Sequence, residues 1–402
     1  MARASKATAC VVTLLLALAV AHGDEKRDAS PQQAVPRKQV RYVMGTLCEI
    51  VAYPIGDHPG TFPSGQTFTT EQLERTDAAI SAAFDELKRL DALLSNWKPN
   101  SELMKMNAAA AESVHGSRPE VPVGAELFER VQTALDIARK TGGRFDPTVG
   151  PLVRAWGFLP DSWPAGERTK RVAEARKRVG WRKVRLDPER HTVSFGVPGM
   201  EIDLGGIAKG YASERALQVL RDRGVKAGAV SLGESSISVM GEPASSTETC
   251  AREMGDAQCV GWQFYIRDPR QTYKPVGRVV LKDGESLATS GTYEKTTGAG
   301  SKRRSHIINP STGQAIGGAV GVTVVARSGE LADALTKAFL LLPTEPERRP
   351  GEVARILRLF GTANVMLLEG SAKGLQTSIW GSRTSRFQTI SQDQKAHAAE
   401  AR

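Results

Sequence analysis

The sequence predicts an α+β protein, a mixed α/β chain without a single repeating unit. Three observations carry this. Apolar residues recur at helical spacing over 71–94, 124–140 and 206–223. Short β-type runs occur at 183–186, 192–195, 227–232, 262–266, 278–281 and 321–326. The two kinds of run do not alternate strictly, as parallel βαβ units would require.

Taken in order, residues 1–23 read as a signal peptide. Arg3 and Lys6 precede an apolar run from Ala9 to Ala21, and small residues lead into Asp24. The run is too short to span a bilayer, so export to the periplasm without stable membrane insertion is the expectation. Residues 24–40, polar with Pro31 and Pro36, read as a flexible leader, and the folded domain is expected over 41–370. RYVMGTLCEIVAY, 41–53, alternates as a strand, and Gly, Pro and Thr make 55–70 a loop. Leu73, Ile80, Phe84, Leu87 and Leu94 define the first long helix. A second, 124–140, is stopped by Gly142-Gly143. Acids and bases interleave over 166–183, the pattern of a solvated helix face. Ala208, Ala212, Ala216, Val219 and Leu220 mark the helix stopped by Gly224. Residues 242–260 form a polar insertion. LADALTKAFLLLP, 331–343, reads as a helix stopped by Pro343, and a helix and a strand over 352–368 precede a polar tail, 371–402.

Composition narrows the function classes. With 402 residues, 40% hydrophobic and 24% charged, the chain has a sizeable soluble core. The formal charge is +10, of which Arg3 and Lys6 would leave with the signal peptide. The rest is scattered and lacks the aromatic interleaving of a nucleic-acid groove, so a small anionic ligand accounts for it better than nucleic acid. Of 4 cysteines, Cys10 falls in the signal peptide, Cys48 reads as a buried thiol, and export makes a Cys250–Cys259 disulfide an expectation.

Four stretches carry chemistry. In EIDLGGIAKGYASE, 201–214, an acid, two glycines and a helix start with Lys209 suit a phosphate, or else Asp203 caps the helix. In GGRFDPTVGPLVRAWGF, 142–158, an aromatic beside Asp146 suits a heterocycle, or else Asp146-Pro147 is only a turn. In 286–313, Ser290, Thr292, Lys302, Arg303, Arg304 and His306 form a hydroxyl-rich, basic stretch. Cations beside His306 favour its neutral form, which suits a general base; a surface basic loop is the alternative. On the 331–343 helix, Asp333 is followed a turn later by Thr336 and Lys337, so a carboxylate, a hydroxyl and an ammonium share one face.

Between about 41 and 370 these residues, in their order, resemble the FAD:protein FMN transferases, the ApbE-type flavin transferases. The matching pieces are 44-MGT-46, 95-SNWKPNSELMKMN-107, 142-GGRFDPTVGPLVRAWGF-158, 203-DLGGIAKGYASE-214, 288-ATSGTY-293, 306-HIINPSTG-313 and 332-ADAL-335. The resemblance implies Mg²⁺-dependent transfer of FMN from FAD to a threonine of an acceptor protein, with AMP leaving. It implies that Met44, Trp97, Arg144, Phe145, Asp146, Asp203 and Lys209 line the FAD site. It also implies that His306 is the base, and that Gly206 (through its carbonyl), Asp333 and Thr336 hold the metal.

Two features depart from the family or complicate the match. The family places threonine four residues after the metal-binding aspartate, where this chain has Lys337. Three outcomes follow: Thr336 serves as ligand while Lys337 bends away, Lys337 pairs with Asp333 in the metal's place, or the site is degenerate. The stretch 283-DGESLAT-289 resembles the acceptor sequence these enzymes modify; as part of the transferase pattern it reads as scaffold. The alternative functions are an FAD pyrophosphatase, a non-catalytic FAD-binding protein and, on charge alone, a polyanion binder.

Overall fold

The computed structural model describes residues 36–56, 68–111, 120–159, 167–243, 261–298, 303–343, 345–361 and 363–390. The signal segment, most of the leader, Lys302, and Cys250 and Cys259 with most of the insertion lie outside the described residues.

Eight strands form one antiparallel sheet, in the order β1 (Arg37–Val43), β2 (Thr46–Ala52), β6 (Gly228–Leu232), β7 (Ser236–Met240), β10 (Ser286–Gly291), β13 (Ala319–Ala326), β14 (Asn364–Ser371) and β15 (Gly374–Trp380). Side chains alternate between the faces of a strand, and here both faces are apolar. Ala288, Val322 and Val324 face helices, whereas Leu287 and Val325 face a second sheet. That sheet pairs β8 (Trp262–Asp268), β9 (Gln271–Leu281) and β16 (Phe387–Thr389). A third joins β3 (Glu120–Pro122), β4 (Val184–Asp187) and β5 (Thr192–Phe195), and β11 (Thr296–Thr297) pairs with β12 (Arg304–Ser305).

The helices are α1 (Thr70–Leu94), α2 (Glu102–Ala111), α3 (Ala125–Lys140), α4 (Gly150–Trp156), α5 (Arg168–Lys177), α6 (Ala208–Asp222), α7 (Gly329–Leu340) and α8 (Arg349–Phe360). Helix α1 starts at a capping box between Thr69 and Gln72, and buries Ile80, Phe84 and Leu87 against β2 and β6. Each such side chain contributes roughly 1.5–3 kcal/mol on burial. Helices α6 and α7 cross at contact distance: a Cβ on Gly210 would lie 1.9 Å from the Gly329 carbonyl oxygen. No other residue type fits at 210, and this contact brings Asp333 against the start of α6.

Four sequence expectations need correction. The alternating run 41–53 is two strands, because Met44 (φ 53°) and Gly45 (φ 71°) make a two-residue turn between β1 and β2. The leader yields to β1 from Arg37, which finds backbone partners in β2. The tail expected from 371 contains β15, which pairs with β14, and β16, which pairs with β9. The helix expected up to Pro343 ends a few residues earlier, with Leu341 at its C-terminal cap.

Candidate active site

One cleft, about 1040 Å³ with its open mouth included, gathers the loop after α1, the turn after α3, the start of α6, the end of β10, the His306 loop and the last turns of α7. Its polar lining comes from Asn96, Arg144, Asp146, Asp203, Lys209 and Ser290, together with Glu294, Lys295, His306 and Lys337.

Asp203 does not cap α6. Its Oδ1 accepts from the Gly205 N–H at 2.7 Å, and its own N–H donates to the Pro147 carbonyl at 2.7 Å, so it folds the glycine turn and ties it to the 145–148 turn. The cleft walls push its carboxyl above the usual range, against the Gly205 and Asn96 hydrogen bonds that favour ionisation. Lys209, in the first turn of α6, hydrogen-bonds the hydroxyl of Ser235 in the β6–β7 connection. The small size of Ser235 leaves room for the lysine to reach it. Lys295 lies across the cleft, its Nζ 4.8 Å from the centre of the exposed Trp97 ring. Crowding by the walls and repulsion from Lys209 push this ammonium below the usual lysine range. Lys209, Lys295 and Lys337 thus converge where an anionic ligand would sit.

His306 is half-buried at the cleft wall, edge-on to Phe158. Its Nδ1 lies 3.3 Å from the Lys295 carbonyl. A carbonyl only accepts, so this contact assigns the proton to Nδ1 and leaves Nε2 as a proton acceptor. Enclosure by the walls, with the fields of Lys337, Lys209 and Lys295, pushes the imidazole down to about 3, so it is neutral at physiological pH. Trp156 of α4 positions this loop by donating from its indole to the Gly313 carbonyl at 2.8 Å.

The other expected residues divide. Trp97, Arg144 and Phe145 line the cleft. Asp146 also reaches it, but its carboxylate serves the turn: Oδ1 accepts from the Thr148 N–H (2.9 Å) and hydroxyl (2.6 Å), and Oδ2 from the Trp181 N–H (3.1 Å). Met44 stands apart from the lining, in the β1–β2 turn. Asn96, Glu294 and Lys295 line the cleft without having been singled out; the signal available was their place beside Trp97 and between Ser290 and His306. Thr289 sits within β10, its Oγ1 3.0 Å from that of Thr323, a scaffold position.

The residues expected to hold Mg²⁺ do not fit that role. Lys337 forms an ion pair with Asp333 Oδ1, and the Gly210 N–H donates to Oδ2 at 3.3 Å. Thr336 is fully buried; its hydroxyl donates to the Asp333 carbonyl at 2.7 Å and meets Ser290 Oγ at 2.7 Å. Of the three outcomes open for Lys337, the structure shows the pairing: Lys337 does not bend away, and its ammonium holds the acid. Its stem passes Gly206, with Cε 3.7 Å from where a Cβ on that glycine would lie.

Fold and cleft together define an α+β protein with a basic, aromatic-rimmed binding cleft and a neutral histidine on its wall. Residues 44–352 match the ApbE family. An FAD:protein FMN transferase of Klebsiella pneumoniae (strain 342) is 30% identical over 291 residues, 71% of this chain and 75% of that protein. One from Treponema pallidum (strain Nichols) is 31% identical over 311 residues, 75% and 78% of the two chains. The crystal structure of the ApbE protein from Thermotoga maritima superposes with a TM-score of 0.66 at 27% identity, covering 87% of this chain and 98% of that one. The chain belongs to the ApbE family.

Proposed function

We propose that this protein is an FAD:protein FMN transferase, which moves FMN from FAD to a threonine hydroxyl of an acceptor protein and releases AMP. The observation that carries the reading is the convergence of Lys209, Lys295, Lys337, Trp97 and His306 on one cleft, in a chain whose relatives bear that name. A diphosphate suits the three ammonium groups, and a flavin or adenine ring suits the exposed face of Trp97. The acceptor oxygen attacks the phosphorus of the FMN half, and the bridging phosphorus–oxygen bond breaks. AMP leaves, and the hydroxyl proton passes to Nε2 of His306. Catalysis of this kind is positioning and charge neutralisation.

The magnesium ion of the family resemblance has no step in this reading, because the Asp333 carboxylate is paired with Lys337 and the Thr336 hydroxyl is engaged with the Asp333 backbone carbonyl and Ser290. The basic, then apolar, start of the sequence supports export and action in the periplasm. The experiment is incubation with FAD and an acceptor domain, scored by covalent flavin fluorescence on a denaturing gel. A fluorescent acceptor band supports the reading, and a dark one beside a labelled reference reaction contradicts it. The Lys337–Asp333 pair favours a second reading, an FAD-binding protein without turnover. Saturable FAD binding, with neither labelled acceptor nor released AMP under any condition, would establish that one instead.

A further inference from the structure

We propose that the cation of this cleft is built into the chain: the ammonium of Lys337 stands in for a divalent metal, and flavin transfer runs without one. The inference rests on the transferase reading above.

Asp333 is 1% exposed and lies behind the cleft lining, whereas Lys337 is part of that lining. A ligand in the cleft therefore meets the ammonium and not the carboxylate. The ammonium is fixed by two acceptors on one residue, the Asp333 carboxylate and, at 3.0 Å, the Asp333 backbone carbonyl. An ammonium has three donors. Two are spent on Asp333, and one remains for a phosphate oxygen. The hydroxyl that would otherwise coordinate a metal is turned into the protein: Thr336 donates to the same carbonyl and meets Ser290.

A divalent ion on one carboxylate leaves a net single positive charge, whereas Lys337 on Asp333 leaves none. Lys209 and Lys295 line the same cleft and add positive charge beside the pair, with Glu294 opposing them. In the transfer step the acceptor oxygen–phosphorus bond forms, the bridging bond to AMP breaks, and the proton goes to His306. The electron pair of the broken bond stays on the AMP phosphate, whose charge the ammonium groups lining the cleft, Lys337 among them, neutralise.

The test uses the full chain, purified in chelator. Mn²⁺ binding to the FAD complex is followed by electron paramagnetic resonance, and FMN transfer is timed in chelator and in Mg²⁺. Expected for the wild type are no stoichiometric Mn²⁺ and equal rates in the two media. Lys337→Thr should bind one equivalent of Mn²⁺. It should lose about 100-fold in chelator, the typical cost of removing one electrostatic stabiliser, and recover in Mg²⁺. Lys337→Met, with neither charge nor ligand, should be slow in both media; circular dichroism checks that each variant is folded. A wild-type complex that takes up one Mn²⁺, or a wild-type rate that collapses in chelator and returns with Mg²⁺, overturns the proposal without reference to any variant. An acceptor unlabelled in every medium refutes the transferase reading, while the Mn²⁺ measurement still decides the role of Lys337.

Discussion

Lys337 and Asp333 stand one turn apart on α7, joined through the carboxylate and, at 3.0 Å, through the Asp333 backbone carbonyl. The acid precedes the base by four residues, the better of the two orders on a helix. The second carboxylate oxygen accepts from Gly210 in the first turn of α6, where a negative charge also interacts favourably with the positive end of the helix dipole. One acid thus anchors the start of α6, which carries Lys209, and the ammonium that faces the cleft.

Breaking this pair from its two sides should have unequal consequences. The Asp333 side chain is 2% exposed and that of Lys337 15%. Lys337→Met strands a buried carboxylate and should cost about 3 kcal/mol, the low end for a broken buried pair because the Gly210 N–H remains. Asp333→Asn leaves an ammonium that can turn to cleft water and should cost about 1 kcal/mol. Urea unfolding of both variants measures this; the opposite order would contradict the burial argument.

His306 should give a pH signature. Its folded value, about 3, lies below the unfolded value of about 6.5. Above pH 6.5 both states are neutral and the contribution is fully present. It is lost as pH falls from there towards 3, where only the unfolded state takes up the proton. His306→Asn should flatten that part of the stability curve. Binding of FAD brings phosphate charge to Lys209, Lys295 and Lys337, so the imidazole should titrate higher in the complex. Nuclear magnetic resonance of labelled histidine checks the direction, and a downward shift would contradict it.

Removal of the histidine should act on the chemical step. His306→Ala should lower kcat by about 10²–10⁴-fold, the usual contribution of a positioned base, with FAD affinity little changed. Steady-state rates beside equilibrium FAD titration separate the two effects.

Trp97 is 48% exposed and supports no core cluster, so Trp97→Ala should leave stability within about 0.5 kcal/mol. Loss of a stacking face should weaken FAD binding by about 1–3 kcal/mol, roughly 5- to 150-fold in Kd. Fluorescence titration reads the affinity, and an unchanged Kd would place the rings elsewhere.

The long helices were legible because a 3.6-residue apolar period needs only one buried face: α1, α3, α6 and α7 all appear. The turn at Met44-Gly45 was not, because methionine rarely adopts positive φ and the apolar pattern continues on both sides of it. Strand β15 was hidden for the opposite reason: none of its residues is fully buried, so it shows no apolar alternation. In the cleft, Phe145, Asp203, Lys209 and His306 were legible through their local patterns, and Trp97 only through the family resemblance. Lys295 was not, since a lysine in a polar loop carries no sign of the cleft it enters. The spacing of Asp333 and Lys337 showed that they share a face. Which partner each would take depended on the crossing of α6 and α7 at Gly210, a tertiary contact.

FMN transfer in this cleft is tested most directly by incubating the purified chain with FAD and an acceptor domain, then mapping the acceptor by peptide mass spectrometry. The expected result is one FMN in phosphoester linkage to an acceptor threonine, with an equal amount of AMP released. FMN and AMP released into solution with the acceptor unmodified would make the protein an FAD pyrophosphatase and contradict the transferase reading.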